Sequence, residues 1–102
     1  MTVAYVILWE FEPVQGREAD FRKAYGPEGV WARFFQRGSG YLGTALFTDP
    51  EHPGRYVTED RWLTRKYFDQ FRVQYADAYR DLDRECEPLT KREKLIGGFE
   101  TD

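Results

Sequence analysis

Between Arg55 and Cys86 the spacing of apolar side chains changes once, and that change limits the folds open to the chain. Over Arg55 to Trp62 the residues alternate. Tyr56, Thr58, Asp60 and Trp62 fall on one side of a pleat and Val57, Glu59, Arg61 and Leu63 on the other, as the two-residue period of a strand requires. From Phe68 onward the steps are three and four, so Phe68, Phe71, Tyr75, Ala78, Leu82 and Cys86 form one stripe of a long helix, with Asp69, Arg72, Asp77, Arg80 and Arg84 largely off it. Thr64 is placed to cap that helix and Pro88 to end it.

The flanking segments complete the pattern. Val3 to Glu12, rich in β-branched and aromatic residues, reads as a first strand with Val3, Tyr5, Ile7, Trp9 and Phe11 on one face and Ala4, Val6 and Leu8 on the other. After the Gln15-Gly16 turn a helix begins near Arg17, with Phe21, Ala24 and Tyr25 inward; Gly26-Pro27 breaks it, and Trp31, Phe34 and Phe35 resume an apolar face until Gly38-Ser39-Gly40. Tyr41 to Thr48 is a second strand, joined through the turn-forming run Asp49 to Gly54 to the Arg55 strand. Glu93 to Phe99 reads as a last strand, weakened by Gly97-Gly98. The order is β-α-β-β-α-β. Right-handed crossovers place both helices on one face of a four-stranded antiparallel sheet, an α+β ferredoxin-like βαββαβ sandwich formed by residues 1–102 as a single domain.

Two helices shield one face of such a sheet, yet the first strand is apolar on both. The chain also carries 8 Phe, 7 Tyr and 3 Trp, more large rings than an interior of this size readily hides. Burying even ~500 Å² of apolar surface is worth roughly 12 kcal/mol before association costs, so the expected arrangement is a homodimer in which two sheets close into a barrel. A partly apolar, solvated face is the alternative.

Several functions are disfavoured. A formal charge of −3, with bases interleaved among acids, gives no patch for nucleic acid. The lone Cys86 fits a reduced, buried thiol in a cytoplasmic protein, and the apolar opening is too short for a membrane span and lacks the basic start of a signal peptide. Gly38-Ser39-Gly40-Tyr41-Leu42-Gly43 matches G-x-G-x-x-G, but it ends a helix and begins a strand, the reverse of the order a nucleotide site needs. His52 is the only histidine and Ser39 the only serine, and the chain has no asparagine; neither a metal cluster nor a hydrolase triad is expected, and no cofactor.

What remains is aromatic. Trp31, Phe34 and Phe35, then Phe68, Phe71 and Tyr75, and the strand residues Tyr5, Trp9, Tyr56 and Trp62 are candidate walls for a flat apolar ligand between helices and sheet. Of these, Trp31, Phe35, Tyr56, Trp62, Phe68, Phe71 and Tyr75 form the candidate binding set, with ordinary core packing the competing reading for each. Asp60 shares a strand face with Tyr56 and Trp62. Desolvation there would raise its pKa and suit it to act as a general base toward a phenol or enol; a structural ion pair with an arginine is the competing role. Arg65 is spaced to pair with Asp69.

Phe11-Glu12-Pro13, Gly16-Arg17-Glu18 with Phe21, Tyr25-Gly26-Pro27-Glu28-Gly29-Val30-Trp31, Gly40-Tyr41-Leu42-Gly43-Thr44, and Tyr56 to Trp62 before Phe68 and Phe71 together resemble the antibiotic biosynthesis monooxygenase family of dimeric α+β barrels, over nearly the whole chain. The resemblance implies a ferredoxin-like homodimer with a pocket in each subunit. Some members oxidise polyketide-like aromatic substrates with O₂ and neither metal nor flavin; others bind and degrade haem. The haem-degrading branch implies an asparagine near the first strand and a histidine on the second helix, which this chain lacks, and Phe71 stands where many members place a histidine. The leading expectation is a cofactor-independent monooxygenase acting on a small aromatic molecule. A non-catalytic dimeric binding module is the alternative, and haem handling the third.

Overall fold

In the computed structural model, which describes residues 3–102, strands β1 (Tyr5–Pro13), β2 (Tyr41–Thr48), β3 (Tyr56–Trp62) and β4 (Thr90–Glu100) form one antiparallel sheet in the order β2-β3-β1-β4. Helices α1 (Glu18–Tyr25) and α2 (Val30–Phe35) connect β1 to β2, and α3 (Arg65–Gln74), α4 (Ala76–Cys86) and a 3₁₀ turn (Glu87–Leu89) connect β3 to β4. The result is the ferredoxin-like βαββαβ arrangement, with its helices on one face of the sheet.

Local chemistry explains the boundaries. In β3 the even-numbered residues are buried and the odd ones half-buried, following the alternation of the sequence. Thr64 caps α3, its Oγ1 accepting the Tyr67 N–H at 3.3 Å, and Arg65 reaches Asp69 at 3.6 Å on the solvent side. The break between α1 and α2 is a tight turn in which the Gly29 N–H bonds to the Gly26 carbonyl. A Cβ on Gly29 would lie 2.3 Å from the Ala24 carbonyl oxygen, so only glycine allows the turn to close.

Two expectations need correction. The long helix is divided at Tyr75 (φ −113°, ψ 29°) into α3 and α4. Tyr75 still donates its N–H to Phe71 and accepts from Tyr79, so the break is a bend, fixed where the Tyr75 ring packs on Phe34 and Phe71. The last strand is also longer than Glu93 to Phe99, because β4 pairs with β1 from Thr90 to Glu100, through the two glycines. Those glycines admit a close approach: a Cβ on Gly98 would sit 1.9 Å from the Tyr5 hydroxyl.

The core between helices and sheet is aromatic, with Trp62, Phe21 and Phe71 essentially inaccessible. On the opposite face the cross-strand rows Gly43-Arg61-Val6-Phe99, Ala45-Glu59-Leu8-Gly97 and Phe47-Val57-Glu10-Lys94 mix apolar side chains with charge. An Arg61–Glu59 pair at 3.3 Å lies in the middle, so this face is less uniformly apolar than the first strand alone suggests. Among the described residues no helix is long and apolar enough to cross a membrane.

Candidate functional site

A cavity of about 160 Å³ lies between helices and sheet, open to solvent at one end. The sheet contributes Trp9 and Phe11 from β1, Thr44 from β2, Thr58 and Asp60 from β3, and Glu93 from β4. The helices contribute Tyr25 at the end of α1, Trp31 and Phe35 from α2, Arg72 from α3, and Tyr79 and Asp83 from α4. Asp60 is the buried charge of the set, only 8% exposed, whereas Arg72 and Glu93 are exposed and Asp83 is half-buried, which puts these three at the opening.

Strand register decides what Asp60 touches. Thr44 is its cross-strand partner, and the Thr44 hydroxyl donates to Asp60 Oδ1 at 2.6 Å. Since that hydroxyl has one proton, the Tyr41 hydroxyl, 2.5 Å away, must donate to it. The resulting chain, Tyr41 to Thr44 to Asp60, points its donors at the carboxylate. Burial pushes the Asp60 carboxyl up to about 6; the Thr44 hydrogen bond works against this and nearby Glu59 adds to it. No arginine forms an ion pair with Asp60 among the described residues, so the structural-pair role is not what holds it.

The other polar groups are also perturbed by their surroundings. Burial raises Tyr79 to about 12 and raises Tyr25 further, keeping both phenols neutral near pH 7. Arg72 lies over the Tyr79 ring, its guanidinium carbon 4.0 Å from the centroid. Asp83 and Glu93 are raised first by burial, then by neighbouring carboxylates. Cys86 is buried and its thiol pushed up by that burial, which leaves it a poor nucleophile. Among the described residues no three of His, Cys, Asp and Glu converge on a point where they could hold a metal ion.

Of the residues singled out from sequence, Trp9, Trp31, Phe35 and Asp60 line the cavity. Among the other candidate walls, Tyr5 and Phe34 lie outside it, and so do the five remaining members of the binding set. Tyr56 packs on Phe21 and accepts a hydrogen bond from Arg22 at 2.7 Å; Trp62 is enclosed by Phe35, Tyr41, Phe68 and Phe71; Phe68 lies against Trp62 and Tyr5. Phe71 sits between Phe34 and Phe35, and Tyr75 covers it with its hydroxyl toward the Arg37 carbonyl at 3.4 Å. These five are core because they bridge helices to each other or to the sheet ends. Sequence reasoning missed Phe11, Tyr25, Thr44, Thr58, Arg72, Tyr79, Asp83 and Glu93 as lining residues. A signal was available for some of them: Arg72, Tyr79 and Asp83 stand seven and four apart, a helical stripe adjacent to the apolar one.

No family model and no curated protein matches the chain. Solved structures share its fold. Protein SO0527 from Shewanella oneidensis superposes with a TM-score of 0.69 at 15% identity, covering 99% of this chain and 93% of that one. A protein from Bordetella bronchiseptica named "putative antibiotic biosynthesis monooxygenase" gives 0.68 at 22% identity, covering 100% and 97%. SnoaB from Streptomyces nogalater, a cofactor-independent oxygenase, gives 0.60 at 16% identity, covering 98% and 90%. At these identities the likeness is one of fold, a four-stranded antiparallel sheet with helices on one face.

Proposed function

We propose that the chain is a single-domain, cytoplasmic member of the antibiotic biosynthesis monooxygenase family, and that its cavity is the active site of a cofactor-independent oxygenase. The observation that carries this reading is Asp60: a carboxylate shifted to about 6, hydrogen-bonded from one side, inside a space walled by aromatic rings. Such a group is largely ionised near neutrality yet basic enough to take an acidic C–H or O–H proton from an electron-rich ring compound. The carbanion or phenolate so formed reduces O₂ and combines with it as a peroxide, to which Asp60 returns the proton. Loss of water from that hydroperoxide converts the ring carbon that took up O₂ to a carbonyl, its hydrogen leaving in the water, so one oxygen atom stays in the product and the other leaves as water. The fold shared with SnoaB supports the reading.

Oxygen uptake with a panel of substituted hydroquinones tests it, with Asp60→Asn expected to lower kcat by about 10²–10⁴. An unchanged rate in that variant would remove Asp60 from the chemistry. The size of the cavity, sufficient for one substituted ring, favours a second reading in which a small aromatic is bound without turnover; saturable binding with no oxygen uptake is its signature. The same volume is far too small for a haem, so no Soret shift is expected when haem is added.

The proposal includes a homodimer. Phe47 and Phe99 stand about half exposed on the sheet face opposite the helices, beside Val6, Leu8, Ala45 and Val57, and a second copy placed there would cover them. Sedimentation at micromolar concentration distinguishes the two states, and a stable single-chain particle would end the barrel arrangement.

A further inference from the structure

Charge is unevenly distributed around the cavity. Three of its lining groups are carboxyls, Asp60, Asp83 and Glu93, and one is a guanidinium, Arg72. Arg72 lies over the face of Tyr79 and makes no ion pair among the described residues. Asp60, more than nine-tenths buried, is bonded at Oδ1 alone, and no hydrogen bond reaches its Oδ2 among the described residues. At the mouth, Asp83 raises the proton affinity of Glu93 and Glu87 raises that of both, with Arg72 offsetting part of the effect on Asp83. A positive charge entering there relieves that repulsion, whereas an anion adds to it.

Apart from Thr44 and Thr58, the rest of the lining is aromatic, and aromatic rings attract cations through their quadrupole. The carboxyls are too dispersed to share one metal ion, so the missing positive charge belongs to something larger and flat. We infer that the cavity recognises a single-ring aromatic bearing a protonated amine, its ring between the aromatic walls, its ammonium group against Asp83 and Glu93 at the opening, and its phenolic hydroxyl toward Asp60. The inference rests on the reading of this cavity as the substrate site and names the substrate class.

Three probes that share one ring and differ only in charge test it: 4-hydroxyphenethylamine, 4-hydroxyphenethyl alcohol and 4-hydroxyphenylacetate, titrated into the full chain at neutral pH. Trp9 and Trp31 line the cavity, so tryptophan fluorescence reports occupancy and calorimetry gives the affinities. The amine is expected to bind roughly tenfold more tightly than the alcohol, and the carboxylate most weakly. Raised salt should weaken the amine alone. Glu93→Gln, an exposed change that leaves the core intact, should cost the amine severalfold more than it costs the alcohol. Equal affinities for amine and alcohol, or tighter binding of the carboxylate, overturn the inference and leave the oxygenase reading standing. So does turnover of a hydroquinone by protein that binds none of the three probes. Absence of both binding and turnover overturns the two together.

Discussion

Replacing Asp60 by asparagine is expected to stabilise the protein at neutral pH while removing the group that accepts the proton. Asp60 is 8% exposed and has its carboxyl pushed up to about 6 by burial, against an ordinary aspartate near 3.9 in the unfolded chain. Between those two values the folded state holds a proton that the unfolded state has released. Stability therefore falls as pH rises through about 4 to 6, and is level above that window. Two units at about 1.4 kcal/mol each set a ceiling of roughly 3 kcal/mol on the cost of keeping this charge buried. Asparagine retains an acceptor for the Thr44 hydroxyl but loses the charge-assisted part of that bond, about 1 kcal/mol, which brings the expected gain to about 1–2 kcal/mol. Urea unfolding of both proteins at one fixed concentration measures it, near pH 4 and near pH 7.5. The two curves should nearly coincide at the acid end and separate in favour of the variant at the other. A variant less stable at pH 7.5, or a difference that does not change with pH, would show that Asp60 is not a desolvated charge, and the general-base role would lose its basis.

Thr44→Val removes the donor to Asp60 and cuts off Tyr41, so the Asp60 carboxyl should rise further and the acid limb of the kcat/KM profile should move up by about one pH unit or more; an unmoved limb would sever Thr44 from the base. Gly29→Ala places a Cβ 2.3 Å from a backbone carbonyl oxygen that cannot yield, and should cost at least about 2 kcal/mol in chemical denaturation, with loss of the α1–α2 turn. Phe47→Glu puts a charge on the exposed sheet face away from the cavity, and should shift sedimentation toward the single chain with a normal far-ultraviolet circular dichroism spectrum.

The topology was legible because it depends on short-range periods and punctuation. Alternation in β3, the Gly26-Pro27 interruption, the Thr64 cap and the turn residues at 49–54 each act over a few residues, and the structure places an element boundary at each. The bend at Tyr75 was not legible, since neither proline nor glycine marks it and it depends on rings contributed by Phe34 and Phe71. The partner of Asp60 was hidden for a related reason. A register shift between Tyr41 and Gly43 governs which β2 residue faces it, and nothing local in the sequence reports that shift.

The cavity itself follows from a contrast within one strand. Tyr56, Thr58, Asp60 and Trp62 share a face of β3, so alternation alone treats them as equivalent. Their sizes are not equivalent. At one end Tyr56 meets Phe21 of α1, and at the other Trp62 meets Phe35, Phe68 and Phe71 of α2 and α3, so two large side chains hold the helices off the sheet. Thr58 and Asp60 between them are too short to fill the gap those rings maintain, and the space left above them is the cavity. The side chains around that gap bury Asp60 and, among the described residues, none supplies an ion pair to it, which is why its carboxyl is raised. Enlarging Thr58 therefore closes the site, and trimming Trp62 collapses the support that keeps it open, although only the first of these residues lines the cavity.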